Sequence, residues 1–289
     1  MRIAVRGDPD ARVVDAWINP NLAPVAAVWS TSEHPRDVAK RLFGAHDRIG
    51  TGGSILETLD EMESAGVAAG VLTSMKEFSP FPDVMQFHEM VAELVATNPD
   101  RLIAAGGVDP SDGVMQSVRM AHRLVTDLGF KAIRVMPSMV GAPPNDRIYY
   151  PLYAACCELD VPLTINVGLP GPRVPGEHQR PIFVEEVCLA FPELTVVMTH
   201  LGWPWHLEAI GLLLKYPGLY LMTSAWAPQH YPSELVDFMG NRGSGRIMFA
   251  TDYPLLSFQR CVQEAAALPL STAAAAAFFH ETAEEVFDW

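Results

Sequence analysis

Two patterns of apolar residues alternate along the chain. Short runs rich in Val, Ile, Leu and Ala recur eight times, at 13–18, 67–73, 102–108, 132–136, 162–167, 195–199, 219–222 and 247–250. They are bounded by Gly, Pro or Asp and show no polar alternation, as expected of strands buried on both faces in a parallel sheet. Between them the apolar residues return at helical spacing, at 54–65, 84–97, 113–128, 152–159, 182–191, 206–214, 233–239 and 258–267. Two segments carry start signals: Ser54 precedes Glu57 by three residues, and Ser233 stands just ahead of Glu234.

Eight strand-helix units in alternation predict an α/β fold of the (β/α)8 TIM-barrel type, a single domain over 1–289. The alternative is a doubly wound open sheet, but no Gly-x-Gly-x-x-Gly turn follows an early strand. The stretch 20–53 exceeds a simple connector and predicts a helical insertion near the barrel mouth. The segment 272–289, with its alanine run, predicts helices packed on the outside of the barrel. No internal repeat and no dividing linker is visible.

Composition narrows the function classes. Hydrophobic residues make up 49% and charged residues 19% of the 289 positions, enough apolar material for a sizeable core. Acidic residues outnumber basic ones by 34 to 20, and a net charge of −14 repels phosphate backbones and anionic membranes. The expected partner is a small molecule, neither nucleic acid nor membrane, and an anionic ligand would need a local positive group. The four cysteines form no C-x-x-C pair and no leading signal segment is present, which predicts a reducing cytoplasmic setting.

In such a barrel the chemistry sits where strands end. The polar residues there are Asp15 and Asn19 on the first strand, Asp109 on the third, Arg134 on the fourth, Asn166 on the fifth, His200 on the sixth, Thr223 on the seventh and Asp252 on the eighth. Any one of them could be a loop cap; their convergence carries the case. In "VVMTHLGWPW" His200 closes an apolar strand and is followed by Trp203. In "IMFATDYP" Asp252 leaves an apolar strand, and a buried carboxylate needs a partner. The remaining histidines are weaker candidates: His34, His46, His88 and His122 fall on loops or helix surfaces, and His280 on the terminal helices. His178, His206 and His230 could reach the mouth.

Four stretches, "YYPLYAACCELDVPLTINVG", "VVMTHLGWPW", "SAWAPQHYPSELVDFM" and "RIMFATDYPLLSFQRC", resemble the amidohydrolase-related (amidohydrolase 2) family in the same order. This branch of the amidohydrolase superfamily includes aminocarboxymuconate-semialdehyde decarboxylase, resorcylate-type decarboxylases, hydrolases and hydratases. The resemblance runs from about Val13 to the terminal helix and implies a (β/α)8 barrel. For metal-binding members it implies a D-x-H-x-H or E-x-H motif on strand one, histidines ending strands five and six, and an aspartate ending strand eight. Here Asp15 keeps its place, but the ligand positions of strand one hold Trp17 and Asn19, and strand five holds Asn166. Only His200 and Asp252 remain.

A catalytic zinc takes three protein ligands from His, Cys or carboxylate, and an asparagine amide is a poor substitute. The expectation is therefore no metal site and no cofactor, with an oxygen-ligated Mg²⁺ or Ca²⁺ as the alternative. The first hypothesis is a metal-independent hydrolase of a lactone, ester or amide, with Asp252 as general base and His200 as partner or proton donor. Arg134 would bind a carboxylate, Asn19 and Asn166 would donate to a carbonyl or oxyanion, and Trp17, Trp203 and Trp226 would line the cavity for a flat ligand. The alternatives are decarboxylation or hydration, and a catalytically silent ligand-binding barrel. Relatives often dimerise, so a homodimer stands beside the single chain.

Overall fold

The computed structural model describes residues 12–31 and 52–289, together with Arg41. Eight parallel strands form one sheet in the order of the sequence: β1 Val13–Ile18, β2 Val67–Ser74, β3 Leu102–Gly107, β4 Ala132–Val135, β5 Leu163–Ile165, β6 Val196–Met198, β7 Leu219–Met222 and β8 Ile247–Met248. The seam between β8 and β1 is joined by an Ile18 to Tyr253 bridge and by backbone bonds from Ala16 to Phe249 (2.9 Å) and from Asn19 to Tyr253 (2.8 Å). This is the (β/α)8 barrel expected from the pattern. None of the eight strands has an exposed position, and the runs of Val, Ile, Leu and Ala supply the two apolar faces.

Helices follow the strands on the outside: α1 Ala23–Thr31, α2 Ile55–Ala65, α3 Val84–Ala96, α4 Val114–His122, α5 Tyr150–Glu158, α6 Val184–Ala190, α7 His206–Lys215, α8 Ser233–Met239 and α9 Phe258–Ala266. The Ser54 signal is a capping box: the Ser54 hydroxyl accepts from the Glu57 backbone at 3.2 Å, and Glu57 accepts from the Ser54 backbone at 2.7 Å. Ser233 is different. It lies inside the first turn of α8, and its hydroxyl turns to Glu234 at 3.2 Å instead of capping the helix. The helix expected over 113–128 is α4 followed by a wider-wound turn at Arg123–Asp127. The insertion after β1 begins with α1; the rest of the 20–53 expectation, with His34 and His46, falls largely outside the described residues.

The C-terminal segment corrects one expectation. Its helices α10 Thr272–Ala276 and α11 Thr282–Val286 do not both lie on the outside. Ala283, Val286 and Phe287 pack against Val14, Ala69, Ile103 and other inward-facing strand residues. Arg12, just before β1, pairs with Glu284 at 3.0 Å, and Lys131, just before β4, reaches Asp288 at 3.3 Å. The last helix therefore closes the N-terminal end of the barrel, which leaves the C-terminal end for a site. Among the described residues no helix is long and apolar enough to cross a membrane.

Candidate functional site

A cavity of about 300 Å³ opens at the C-terminal end of the strands. Trp17, Asn19, Arg134, Asn166, His200, Trp226 and Asp252 all line it, so seven of the eight expected site residues meet there. Trp203 does not. His200, Leu201 and Gly202 take three successive left-handed conformations (φ 56°, 58° and 68°), which reverse the chain behind β6. Trp203 is thereby carried past the rim, 40% exposed, and packs against Trp226 with ring centroids 5.2 Å apart.

Asp252 leaves the end of β8 in a left-handed conformation (φ 65°), with its backbone N–H on the carbonyl of Trp17 at 3.1 Å. Its carboxylate accepts from the Asn19 amide at 2.7 Å. Asn19 is fixed on both sides: its oxygen accepts from Thr73 (3.0 Å) and the Trp17 indole (3.3 Å), and its nitrogen also donates to the carbonyl of Tyr253 (3.0 Å). Those partners can only donate or only accept in these roles, so the amide has one orientation. Both of its N–H groups are spent, and the expected donation from Asn19 to a substrate oxyanion gives way to orienting Asp252. Burial pushes the Asp252 carboxyl up to about 6, although the Asn19 bond and the Arg134 charge favour its ionised form.

Arg134, 2% exposed, projects inward from β4 with its guanidinium 3.6 Å above the Trp17 ring. Its Nε and Nη2 both donate to Asn166 Oδ1 at 3.3 Å. That orients the Asn166 amide so that its nitrogen lies 3.0 Å from His200 Nε2, donating to it. His200 Nδ1 then carries the proton and faces Ser224, 2.9 Å from its hydroxyl and 3.3 Å from its carbonyl. Burial and the Arg134 charge hold the His200 imidazole down at about 3, so it is neutral at physiological pH. In this form the one ring proton of His200, on Nδ1, faces Ser224, and Nε2 is the acceptor on the side of Asn166. Burial also lowers Arg134 to about 9, and it stays charged near neutrality.

The other strand-end candidates serve the scaffold. Asp15 is buried and joins β1 to the segment after β8, accepting from Thr251 Oγ1 (2.6 Å), Thr251 N (3.0 Å) and Trp17 N (3.0 Å). Asp109 caps the Pro110–Asp112 turn through Ser111, and Thr223 bonds to Met248 and Ala250 across β7 and β8. His88, expected on a surface, is fully buried and bonded to Ser74 at 2.7 Å. His230 lines the rim, whereas His178 and His206 do not line the cavity. The apolar walls include Phe78, Met136, Leu255 and Leu256, and Arg260 of α9 reaches the mouth. Met136 closes the fourth apolar run and is passed over when only polar strand ends are considered; the others are missed because they arrive from loops and from a helix, with the "LL" after "TDYP" as a signal.

A metal ion finds few ligands here. Among the described residues no three His, Cys, Asp or Glu side chains come together to hold one. The two suitable groups at the barrel mouth are already capped: the Asn19 amide occupies an Asp252 oxygen, and the Asn166 amide occupies the His200 Nε2 lone pair. A fixed guanidinium beside them opposes a second cation. The residues present do not fit a catalytic zinc or manganese site.

The sequence profile of the family described as Amidohydrolase matches residues 48–289. Decarboxylase orsB of Emericella nidulans is 24% identical over 220 residues, an alignment covering 60% of this chain and 64% of that protein, less than two thirds of its length. An uncharacterised TIM-barrel protein of Bordetella bronchiseptica superposes with a TM-score of 0.79 at 21% identity, over 96% of this chain and 98% of the other. A 5-carboxyvanillate decarboxylase of Novosphingobium aromaticivorans, solved with manganese and 4-hydroxy-3-methoxy-5-nitrobenzoic acid, gives 0.74 at 18% identity, over 98% and 97%. At these identities the solved structures establish a shared fold.

Proposed function

The chain belongs to the amidohydrolase family, and from that premise we propose that it is a metal-independent lyase that removes CO2 from a small, flat, electron-rich carboxylic acid such as a hydroxyarene carboxylate. The observation that carries this reading is Asp252, a buried carboxyl held at about 6 in a cavity walled by Phe78, Met136, Trp226, Leu255 and Leu256. Burial of the carboxyl and its raised pKa keep a usable fraction of the acid form near neutral pH. The family premise, and a curated relative whose name is that of a decarboxylase, favour loss of CO2 over hydrolysis.

In this reading Asp252 transfers its proton to the ring carbon that bears the carboxylate. The bond from that carbon to the carboxylate carbon then breaks, its electron pair returns to the ring, and neutral CO2 leaves. Asp252, now a carboxylate, regains a proton from water, so the net change is one acid anion and one proton converted to the arene and CO2. Neutral His200, fixed by Asn166 and Ser224, shapes the floor without titrating. Asn19 aims the Asp252 carboxyl.

One observation favours a second reading. A carboxyl with a pKa of about 6 is mostly ionised at pH 7, which suits a general base for opening a lactone or ester. The two are separated by incubating EDTA-dialysed protein with hydroxybenzoates on one side and lactones or aryl esters on the other. The expected result is CO2 release from a hydroxybenzoate, reduced at least ~10³-fold in Asp252→Asn with an unchanged circular dichroism spectrum. Lactone opening without CO2, binding without turnover, or full activity in Asp252→Asn would each overturn the proposal.

A further inference from the structure

A guanidinium sealed into a cavity wall is costly unless a partner compensates its charge. Arg134 makes no ion pair among the described residues: its hydrogen bonds go to the neutral Asn166, its face lies on the neutral Trp17, and its buried Nη1 has no hydrogen-bond partner. Asp252 and Glu77 act on it through space only. The protein therefore retains, in the wall of its cavity, a cation that no carboxylate of the described residues contacts directly.

The groups that hold this cation are informative. Trp17 and Asn166, which stand where the family resemblance implies histidines in metal-binding members, both touch the same guanidinium, one by stacking and one by accepting two of its bonds. An indole face attracts a desolvated guanidinium through the negative face of its ring. An amide oxygen gives it an acceptor without neutralising it. A histidine at either place would offer a titratable ring in competition with the guanidinium, so the two replacements are parts of one seat.

We infer that Arg134 is the resident cation of this cavity: its guanidinium takes an anionic oxygen of the substrate, a carboxylate or phenolate, in the electrostatic role a divalent ion would otherwise fill, and Trp17 and Asn166 are its mount. The inference rests on the proposed reaction only for the choice of an arene acid as ligand. In a protein of net charge −14 such a fixed cation gives the cavity its affinity for anions.

The test uses benzoate as probe, titrated calorimetrically into EDTA-dialysed protein with and without added Mn²⁺. Benzoate is expected to bind the metal-free protein, and Mn²⁺ is expected neither to bind nor to tighten it. Arg134→Met is expected to weaken benzoate by about tenfold or more, and Arg134→Lys to fall between, since it keeps the charge but loses the planar fork and the stack. Benzoate binding that requires Mn²⁺, wild-type protein that does not bind benzoate, or Arg134→Met that binds as wild type would overturn the inference. Should Arg134→Met fail to fold, the Mn²⁺ comparison on the wild type and the Arg134→Lys titration decide the matter. Neither readout involves turnover, so a protein that binds benzoate in this way but releases no CO2 supports the resident cation and overturns the proposed reaction.

Discussion

Asp252 and His200 sit within one cavity but are pushed in opposite chemical directions by the same burial. Desolvation favours the neutral form of each, which raises the acid to about 6 and lowers the base to about 3. A single titration should therefore govern activity between pH 5 and 8. If Asp252 delivers a proton, kcat/KM is level below its pKa and falls about tenfold per pH unit above it; a general base gives the mirror image. Asn19→Ala removes a bond to the ionised carboxylate and should move the inflection to higher pH, a shift that a purely structural loss of activity would not produce. A pH-rate profile of both proteins decides this. The strand-end residues were legible because the eight apolar runs located the strand ends, and Arg134, Asn166, His200 and Asp252 follow from that register. Phe78 and Arg260 were not, since a loop or helix side chain reaches the mouth only through a chain path that local periodicity does not encode.

The shortest strand of the barrel is β8, only two residues long, and the seam it shares with β1 is completed by Asp15. The Asp15 carboxylate accepts two backbone N–H groups and the Thr251 hydroxyl, all buried. Asp15→Ala would leave these donors unpaired and should cost about 3 kcal/mol or more, read as a lower denaturation midpoint; a variant as stable as wild type would show that the seam does not depend on this residue. A second element-level constraint lies at Gly168, which follows β5 with φ 83°, and a Cβ there would meet the Trp203 carbonyl oxygen at 2.7 Å. The close approach lets the Leu169 N–H donate to that same carbonyl at 2.8 Å, which joins the 169–172 wall of the cavity to the turn after β6. The helices were read correctly where spacing and caps agreed, as at Ser54. They were misread where only one signal existed: Ser233 has the type of a cap without its position, and the amphipathic terminal helix reveals a buried face but not the surface it covers.

Among the described residues, buried titrating groups oppose one another in setting stability. Asp15 is raised from 3.8 to about 7 and Asp252 from 3.8 to about 6, so between those limits the folded state holds protons that the unfolded chain has lost, and stability falls as pH rises. His88 is lowered from 6.5 to about 4 and His200 from 6.5 to about 3, so there the unfolded chain binds the extra protons, and stability rises with pH. Each group changes stability by at most about 1.4 kcal/mol per pH unit inside its window. From pH 4 to 6 two fall and two rise, and their sum is nearly level; Glu77, also raised by burial, tilts it slightly downward. Asp15→Asn removes one falling contribution while its amide can still accept from the two backbone N–H groups. Relative to wild type, this variant should therefore gain stability with pH, by about 1.4 kcal/mol per unit and about 3 kcal/mol between pH 4 and 6. Urea denaturation of both proteins at pH 4, 5 and 6 measures the difference directly. Parallel curves would mean that the folded-state pKa of Asp15 is not raised above that of the unfolded chain, and would overturn the prediction.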